Sequence, residues 1–414
     1  MWTWGAYPGQ GENVRKFTRI LERIRAEVKA LPDRKINWWE YITKGWNFRT
    51  LWMYQNKTLQ NVFDECNLSR EAQAVLIAQA GDFMAPPNEL SIFAYTGLFG
   101  GYNTGAYYPT KHFNHFIQKV VESIEGHEGC HIYYETPVSK INVDGDKVTS
   151  IETEDGKVFT ADRYICNMDP QLASYMIGRE KFPADYIEKL DYDYSHTGLM
   201  VYLGLHGLDL REKGFGKFNT WHLERWDMNQ TWREGLAGGY SKPWVFMGTP
   251  SLHSDVPGIV PAGCHILEVE TLGGYDYFKK FLKQGQKAYK EEKWRVANRL
   301  LSIVREKYIP ELNNHIALKL VGSPTTNEDF CRAPRGNAYG SHLTPKNMGL
   351  GRLKSDSPFR NLYFCNASSG YGGICPTVGT GNALYMKLTG DVFYRPSEEP
   401  SDNELVKMVR GGNQ

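Results

Sequence analysis

The sequence predicts an α/β fold in which a strand–loop–helix unit and a β-meander sit beside a second region of helices and mixed strands. Three observations carry that expectation. Near the C-terminus, residues 361–391 read NLYFCNASSGYGGICPTVGTGNALYMKLTGD: a short apolar run, a loop of small residues, then a helical pattern. In the middle of the chain, Asp144-Gly145 and Asp155-Gly156 punctuate β-rich runs and mark tight hairpin turns. Elsewhere, strand-length apolar runs alternate with apolar residues spaced by three and four, the helical period.

Composition narrows the function classes. The 414 residues suffice for two or three domains with substantial cores. Lys and Arg (48) nearly cancel Asp and Glu (47), so no large net field points to nucleic acid. Aromatic residues make up 13% of the chain, with 11 Trp and 25 Tyr, which suits an apolar cavity as well as large cores. Seven dispersed cysteines without a CxxC pair argue against a disulfide framework or a zinc ribbon and for a reducing, cytoplasmic setting. No run of 18 apolar residues and no secretory leader pattern is visible, so neither a spanning helix nor a signal peptide is expected.

Taken in order, the chain opens on Trp2, Trp4, Tyr7 and Pro8, an unusual start that reads like the middle of something. Val14, Phe17, Leu21, Ile24, Val28 and Leu31 then form one helical face stopped by Pro32. Trp38, Trp39, Trp46 and Trp52 follow in a partly helical segment, and 67–80 reads as a helix before Pro86-Pro87. Gly97, Gly100, Gly101 and Gly105 lead to Tyr107-Tyr108-Pro109, after which Phe113, Phe116, Ile117, Val120 and Ile124 share a helical face. Cys130–Tyr134 reads as a strand, the meander occupies 140–161, and Tyr164–Asn167 is a short strand before Asp169-Pro170. Leu199–Leu205 and His265–Thr271 read as strands, and Trp294, Ala297, Leu301, Val304 and Tyr308 as an amphipathic helix ended by Pro310. In the last unit, Leu362–Cys365 is the strand, Ser368 to Gly373 the loop, and the helical pattern starts at Ala383. Such a loop lets backbone N–H groups approach a phosphate at a helix N-terminus. Taken alone, a glycine-rich turn before a helix is more often an ordinary connection.

The C-terminal stretch resembles the flavin-contacting segment of the phytoene desaturase, carotenoid isomerase and retinol saturase family of FAD-dependent oxidoreductases, within the amine-oxidase-like superfamily. Tyr108-Pro109, Val138, Asn167-x-Asp169-Pro170, Gly322-Ser-Pro-Thr325 and Gly336–Gly340 stand in the family's order, and the likeness spans about residues 5–395. Asn366 replaces the family's first glycine, and Lys111-His112 its usual glycine pair. The resemblance implies an incomplete FAD-binding, Rossmann-like domain with a β-meander (106–170 and 346–395). It also implies a substrate domain of helical lid and mixed sheet (1–105 and 171–345), and a loose tail at 396–414. It implies FAD contacts at Val138, Asn167, Asn366, Ala367, Gly372, Gly373 and Ile374, and an apolar isoprenoid or polyene substrate against Tyr107, Tyr108 and Phe99. For the two tyrosines, simple core packing is the alternative. The cofactor then carries hydride chemistry, and the reaction is desaturation, saturation or isomerisation, with peripheral contact at a membrane surface.

No Gly-x-Gly-x-x-Gly occurs in these residues. The likeness starts well inside the family's first third, so a first βαβ unit of at least about 30 residues is expected to be missing. A truncated enzyme with weak or absent FAD affinity, a partner chain that supplies the unit, and a non-catalytic remnant or half of a split enzyme are the alternatives. No catalytic residue is assigned. His127 and His131 are ligand types, but Gly126 and Gly129 place them in a loop, and no metal site is assigned. Cys375 is read as a buried, inert thiol, with a reactive thiol near the flavin as the alternative. No Gly-x-Ser-x-Gly elbow supports hydrolase chemistry.

Overall fold

A computed structural model describes residues 9–31, 45–102 and 105–392. Trp2, Trp4, Tyr7, Pro8, Pro32, Trp38, Trp39 and the 396–414 tail lie outside the described residues. Three hydrophobic clusters organise what is described, and each is assembled from residues distant in sequence.

The first cluster gathers α1 (Gly11–Lys29), α2 (Arg49–Tyr54), α3 (Leu59–Glu65), α4 (Arg70–Leu76) and α5 (Ile92–Gly101). Side-chain oxygens of Thr58, Ser69 and Ser91 cap α3, α4 and α5, satisfying amide donors that have no partner in the first turn. The stripe on α1 divides. Val14, Phe17, Ile20, Leu21 and Ile24 are buried, whereas Val28 and Leu31 are exposed and border a cavity. Beyond Tyr102, α6 (His112–Glu125) carries the expected apolar face, yet none of its residues is buried.

The meander is present as expected. β1 (Val138–Asp144), β2 (Lys147–Thr153) and β3 (Val158–Phe159) pair antiparallel in sequence order, with Gly145 and Gly156 at positive φ in the turns. β4 (Tyr164–Cys166) leads through Asp169 into α7 (Pro170–Ile177). The Asp169 carboxylate accepts from the Gln171 and Leu172 amides and from the hydroxyls of Tyr192 and Tyr194. α8 (Ala184–Leu190) completes this layer.

A five-stranded sheet of order β6-β7-β8-β5-β9 follows: β5 (Thr197–His206), β6 (Thr220–Leu223), β7 (Trp244–Gly248), β8 (Cys264–Gly273) and β9 (Ile316–Gly322). It is interleaved with α9 (Met228–Leu236), α10 (Tyr275–Gln284) and α11 (Gln286–Lys307). Every pair in this sheet is antiparallel, which corrects the expectation of a mixed sheet. The pattern of cover gives the reason. Leu199, Val201, Leu203, Leu267 and Val269 pack on Val296, Leu300, Leu301 and Val304 of α11, while Tyr202, Leu318 and Leu320 on the opposite face are exposed. An antiparallel sheet tolerates one open face, whereas parallel sheets occur covered on both. Trp244 links sheet to helices: its indole N–H donates to the Ala78 carbonyl at 2.7 Å. Gly81 is needed under that ring, because a Cβ there would lie 2.3 Å from Trp244.

α12 (Pro324–Cys331) leads to the final unit, β10 (Leu362–Phe364) and α13 (Ile374–Thr389). β10 pairs in parallel with β4, Leu362 opposite Tyr164 and Phe364 opposite Cys166. Cys130–Tyr134, expected to be a strand near β10, is irregular. It has no ladder partner among the described residues, and Tyr133 and Tyr134 are exposed, so alternation alone does not hold it extended. The last helix also starts nine residues earlier than the apolar pattern implies. Pro376 falls in its first turn, where a missing N–H costs nothing, and Gly373 (φ 98°) makes the sharp entry.

Asn361 joins meander to ladder, its side chain accepting from the Val148 amide (2.8 Å) and donating to the Val148 carbonyl (2.9 Å) in a buried setting. Asn361→Ala leaves both backbone groups unpaired, so unfolding free energy should fall by about 2–3 kcal/mol in urea denaturation. A loss under about 0.5 kcal/mol would show that the two layers are held otherwise.

Candidate functional site

The strand–loop–helix unit borders the principal cavity, about 1720 Å³ in volume. That exceeds the roughly 300–1,000 Å³ usual for small-ligand sites. Its walls are largely apolar: Val28 and Leu31 of α1, Phe48, Trp52 on α2, and Phe93, Gly97 and Leu98 on α5. It reaches Tyr339, Tyr371, Gly372, Cys375 and Pro376 at the loop and the start of α13.

The loop is held by polar contacts, and Gly372 lies at the cavity. Arg352, 5% exposed, donates to the carbonyls of Gly370 (2.5 Å), Ala367 (2.5 Å) and Asn347 (3.3 Å), and lies over the Tyr371 ring at 4.7 Å. Burial pushes this guanidinium down to about 10, and among the described residues no carboxylate pairs with it, so loop carbonyls carry the compensation. The Asn366 side chain accepts from the amides of Ser368 and Ser369 (3.0 Å each) and donates to the Met168 carbonyl (2.9 Å). Asn167 donates to the Cys365 carbonyl at 2.6 Å, lacing the ends of β4 and β10. Gly372 packs on Tyr339, where a Cβ would sit 2.7 Å from the ring. From Gly373 the chain enters α13, whose first-turn amides have no intrahelical acceptor.

A second feature of this region is a cluster of acids and phenols. Asp82 and Tyr339 line the cavity, and the Tyr102 hydroxyl donates to Asp82 Oδ2. Burial raises the Asp82 carboxyl against the lowering effect of Tyr102. Glu270, on the β8 face away from the α11 core, is raised to about 8, by burial first and then by repulsion from Asp82 and Glu268. Burial raises Glu268 as well. Burial, aided by the charges of Asp82 and Glu270, also holds Tyr339 protonated.

Placed on this geometry, the expected residues separate. Asn167, Asn366, Ala367, Gly372, Gly373 and Ile374 come together around the ends of β4 and β10 and the start of α13, but the Asn366 side chain is committed to the turn. Val138 begins β1 in the meander. The three expected substrate contacts do not line the cavity. Tyr107 is 83% exposed, Tyr108 packs edge-on to His253 (4.9 Å) and Phe113 (5.1 Å), and Phe99 stacks on Tyr95 (5.1 Å). The turn of α5 sends Phe93 to the cavity and Phe99 to the core side. Cys375, read as buried, is exposed and lines the cavity. Asp82, Arg352 and Tyr339 were not anticipated. Glu268 and Glu270 could have been, since HILEVET places two carboxylates at period two on one strand face.

The chain matches the family described as flavin containing amine oxidoreductase over residues 12–206. It is 22% identical to an all-trans-retinol 13,14-reductase of Danio rerio, across 98% of this chain and 70% of that one. It is 20% identical to prolycopene isomerase 2, chloroplastic, of an Oncidium hybrid cultivar, across 97% and 68%. A stretch of 67 residues, 16% of this chain and 12% of that one, is 42% identical to a phytoene desaturase of Phycomyces blakesleeanus. Among solved structures, a triple mutant from a redesign of cofactor binding in putrescine oxidase superposes with a TM-score of 0.58 at 11% identity, covering 94% and 78%. Cyclohexylamine oxidase from Brevibacterium oxydans does so with 0.54 at 12%, covering 93% and 76%. These likenesses show the amine-oxidase-like fold.

Glu270 links this region to pH. Its folded pKa, about 8, lies above the ordinary 4.5, so its contribution to stability is fully present below about pH 4.5 and is lost as pH rises through 8. Glu270→Gln mimics the protonated form. It should nearly match the parent at pH 5 and exceed it by about 2–5 kcal/mol at pH 9 in urea denaturation. Parallel stability profiles from pH 5 to 9 would refute the assignment.

Proposed function

We propose that this chain, which matches the flavin containing amine oxidoreductase family over residues 12–206 and has the amine-oxidase-like fold, is an FAD-dependent oxidoreductase or isomerase acting on a long apolar isoprenoid or polyene. The observation that carries this reading is the cavity of about 1720 Å³, its walls largely apolar, which reaches Gly372 and the start of α13. A polyene needs contact along its length rather than many polar anchors, and Trp52, Phe93, Leu98 and Leu31 offer such contact. The names of the relatives point the same way, to retinol, prolycopene and phytoene.

The residues present suit one side of a flavin site. Gly372 brings bare backbone to the cavity, and the first-turn amides of α13 favour a phosphate. The backbone of Ala367, Gly372, Gly373 and Ile374 would hold FAD, with Asn167 and Val138 assigned to it by family position. When bound, FAD supplies hydride transfer. The chain's own residues exclude water, align the substrate, and keep a proton on Glu270 at neutral pH, which suits chemistry that makes or reduces a carbon–carbon double bond. In this reading 106–170 and 346–395 form the cofactor-side unit, and the remaining helices and the antiparallel sheet the substrate side. Among the described residues no helix is long and apolar enough to cross a membrane. Peripheral contact follows from where such substrates dissolve.

A second reading, in which the chain binds an apolar molecule and acts only with a further polypeptide segment, draws support from the bare face of α6. Phe113, Phe116, Ile117, Val120 and Ile124 are 39–55% exposed there. One experiment separates the two. FAD, followed by flavin fluorescence, and detergent-dispersed retinol, followed by tryptophan quenching, are titrated into the purified chain. Saturable retinol binding and weak FAD binding are expected, since the residues present suit one side of the flavin site. Cys375→Phe, which fills the loop end of the cavity, should weaken retinol binding by about tenfold. Retinol binding without FAD supports the second reading, and binding of neither refutes both.

A further inference from the structure

Three side chains from remote parts of the chain, none of them lining the cavity, converge: Glu89, His196 and His342. We propose that they form a binding site for one divalent first-row metal ion of the zinc type. Glu89 Oε2 lies 3.1 Å from His196 Nε2 and 2.9 Å from His342 Nε2, and the three donor atoms lie within 4.8 Å of one another. The imidazole rings meet edge to face at 4.9 Å. An ion with bonds of about 2.0–2.2 Å in tetrahedral geometry sets its ligands about 3.3–3.5 Å apart. The triangle therefore accepts an ion if its two short edges widen by a few tenths of an ångström and the His196–His342 edge, within 4.8 Å, closes to the same range.

The backbone beneath the three residues is already braced. The Ser195 amide donates to Gly340 O (2.8 Å) and the His342 amide to Asp193 O (2.7 Å), so the two histidine segments are laced together. The Ser91 amide donates to Leu343 O (2.8 Å), which ties the Glu89 turn to the same place. Ligands on braced segments lose little freedom on binding. His342 is 5% exposed, His196 24% and Glu89 40%, so the imidazoles are sheltered and the carboxylate side gives an entry path.

Two imidazoles and one carboxylate carry a net charge of −1 and leave a coordination position open. That donor set favours zinc, cobalt, nickel or ferrous iron over calcium and magnesium, which prefer all-oxygen shells. His342 Nδ1, on the ring edge away from Glu89, is buried and has no hydrogen-bond partner among the described residues. No acceptor orients that ring from behind, which places the affinity in the micromolar range rather than below it. The ion would pin the turn before α5 to the entrance of β5, joining the helical cluster to the antiparallel sheet.

The test uses the full chain stripped with chelator. Cobalt(II) is titrated while visible d–d absorption is followed, and zinc affinity is measured by competition with a chromophoric chelator. One equivalent, micromolar affinity and a raised melting temperature are expected. Glu89→Gln and His196→Asn should each weaken binding at least about tenfold and abolish the thermal shift. The double variant His127→Ala/His131→Ala, altered at the exposed histidines, should bind as the parent does. Circular dichroism on Glu89→Gln, which keeps a hydrogen-bond acceptor, separates loss of ligand from loss of fold. Sub-stoichiometric cobalt, or equal affinity in parent and ligand variants, would overturn the proposal and leave a hydrogen-bonded Glu–His clasp without an ion.

Discussion

A three-residue parallel ladder between β4 and β10 is the contact on which the arrangement of the site depends. Its partners lie about 200 residues apart in sequence, so loop-closure entropy opposes it and three backbone pairs alone could not hold it. Side chains at both ends close the difference. Asn361 binds Val148 through donor and acceptor, while Asn167 and Asn366 cross between the strand ends at Cys365 and Met168. Leu362, Phe364, Tyr164, Ile141 and Val148 bury their apolar surface in the same cluster. Once this joint forms, the glycine loop and the start of α13 can point only toward the cavity between α1, α2 and α5.

The loop itself is rigid for an electrostatic reason. Arg352 keeps its charge in the interior by donating to three carbonyls rather than to a carboxylate, so a loop rich in glycine is held by a buried cation. Glycine freedom is thus used for close approach, not for motion: Gly372 against Tyr339 leaves no room for a side chain. On the other side of Tyr339, Asp82, Glu268 and Glu270 crowd like charges into a poorly solvated space. A fold that keeps such groups accepts a stability cost, and functional sites are where such costs are commonly found.

The two surfaces of the five-stranded sheet show how cover decides chemistry. Where α11 packs, β5 and β8 present Leu and Val; on the reverse, the same strands present Glu268, Glu270, Met200 and Tyr202. Period-two alternation makes both faces from one run of sequence. The bare stripe of α6 illustrates the same rule in a helix. Its pattern is strongly amphipathic, but the pattern specifies only that a face is apolar, not what meets it.

Local signals were therefore legible in the sequence, and long-range ones were not. The Asp-Gly turns determined the meander, the three-four spacing determined α1 and α11, and the apolar run at Leu362–Phe364 determined β10, because each depends on interactions within a few residues. The loop residues from Asn366 to Ile374 carry only a weak local signal and were singled out by family resemblance, since a glycine-rich turn before a helix is common to many connections. Partner choice was decided only by tertiary structure: β10 pairs with Tyr164–Cys166 instead of Cys130–Tyr134, and the sheet is antiparallel throughout. So was the direction of each aromatic side chain, which put Trp52 and Phe93 on the cavity and left Tyr107, Tyr108 and Phe99 off it. Glu89, His196 and His342 share no local pattern at all, since their meeting depends on backbone bonds between segments more than 100 residues apart. A sequence states which side chains can bury, bond or ionise nearby; which distant ones meet is set by the packing that removes most apolar surface from water.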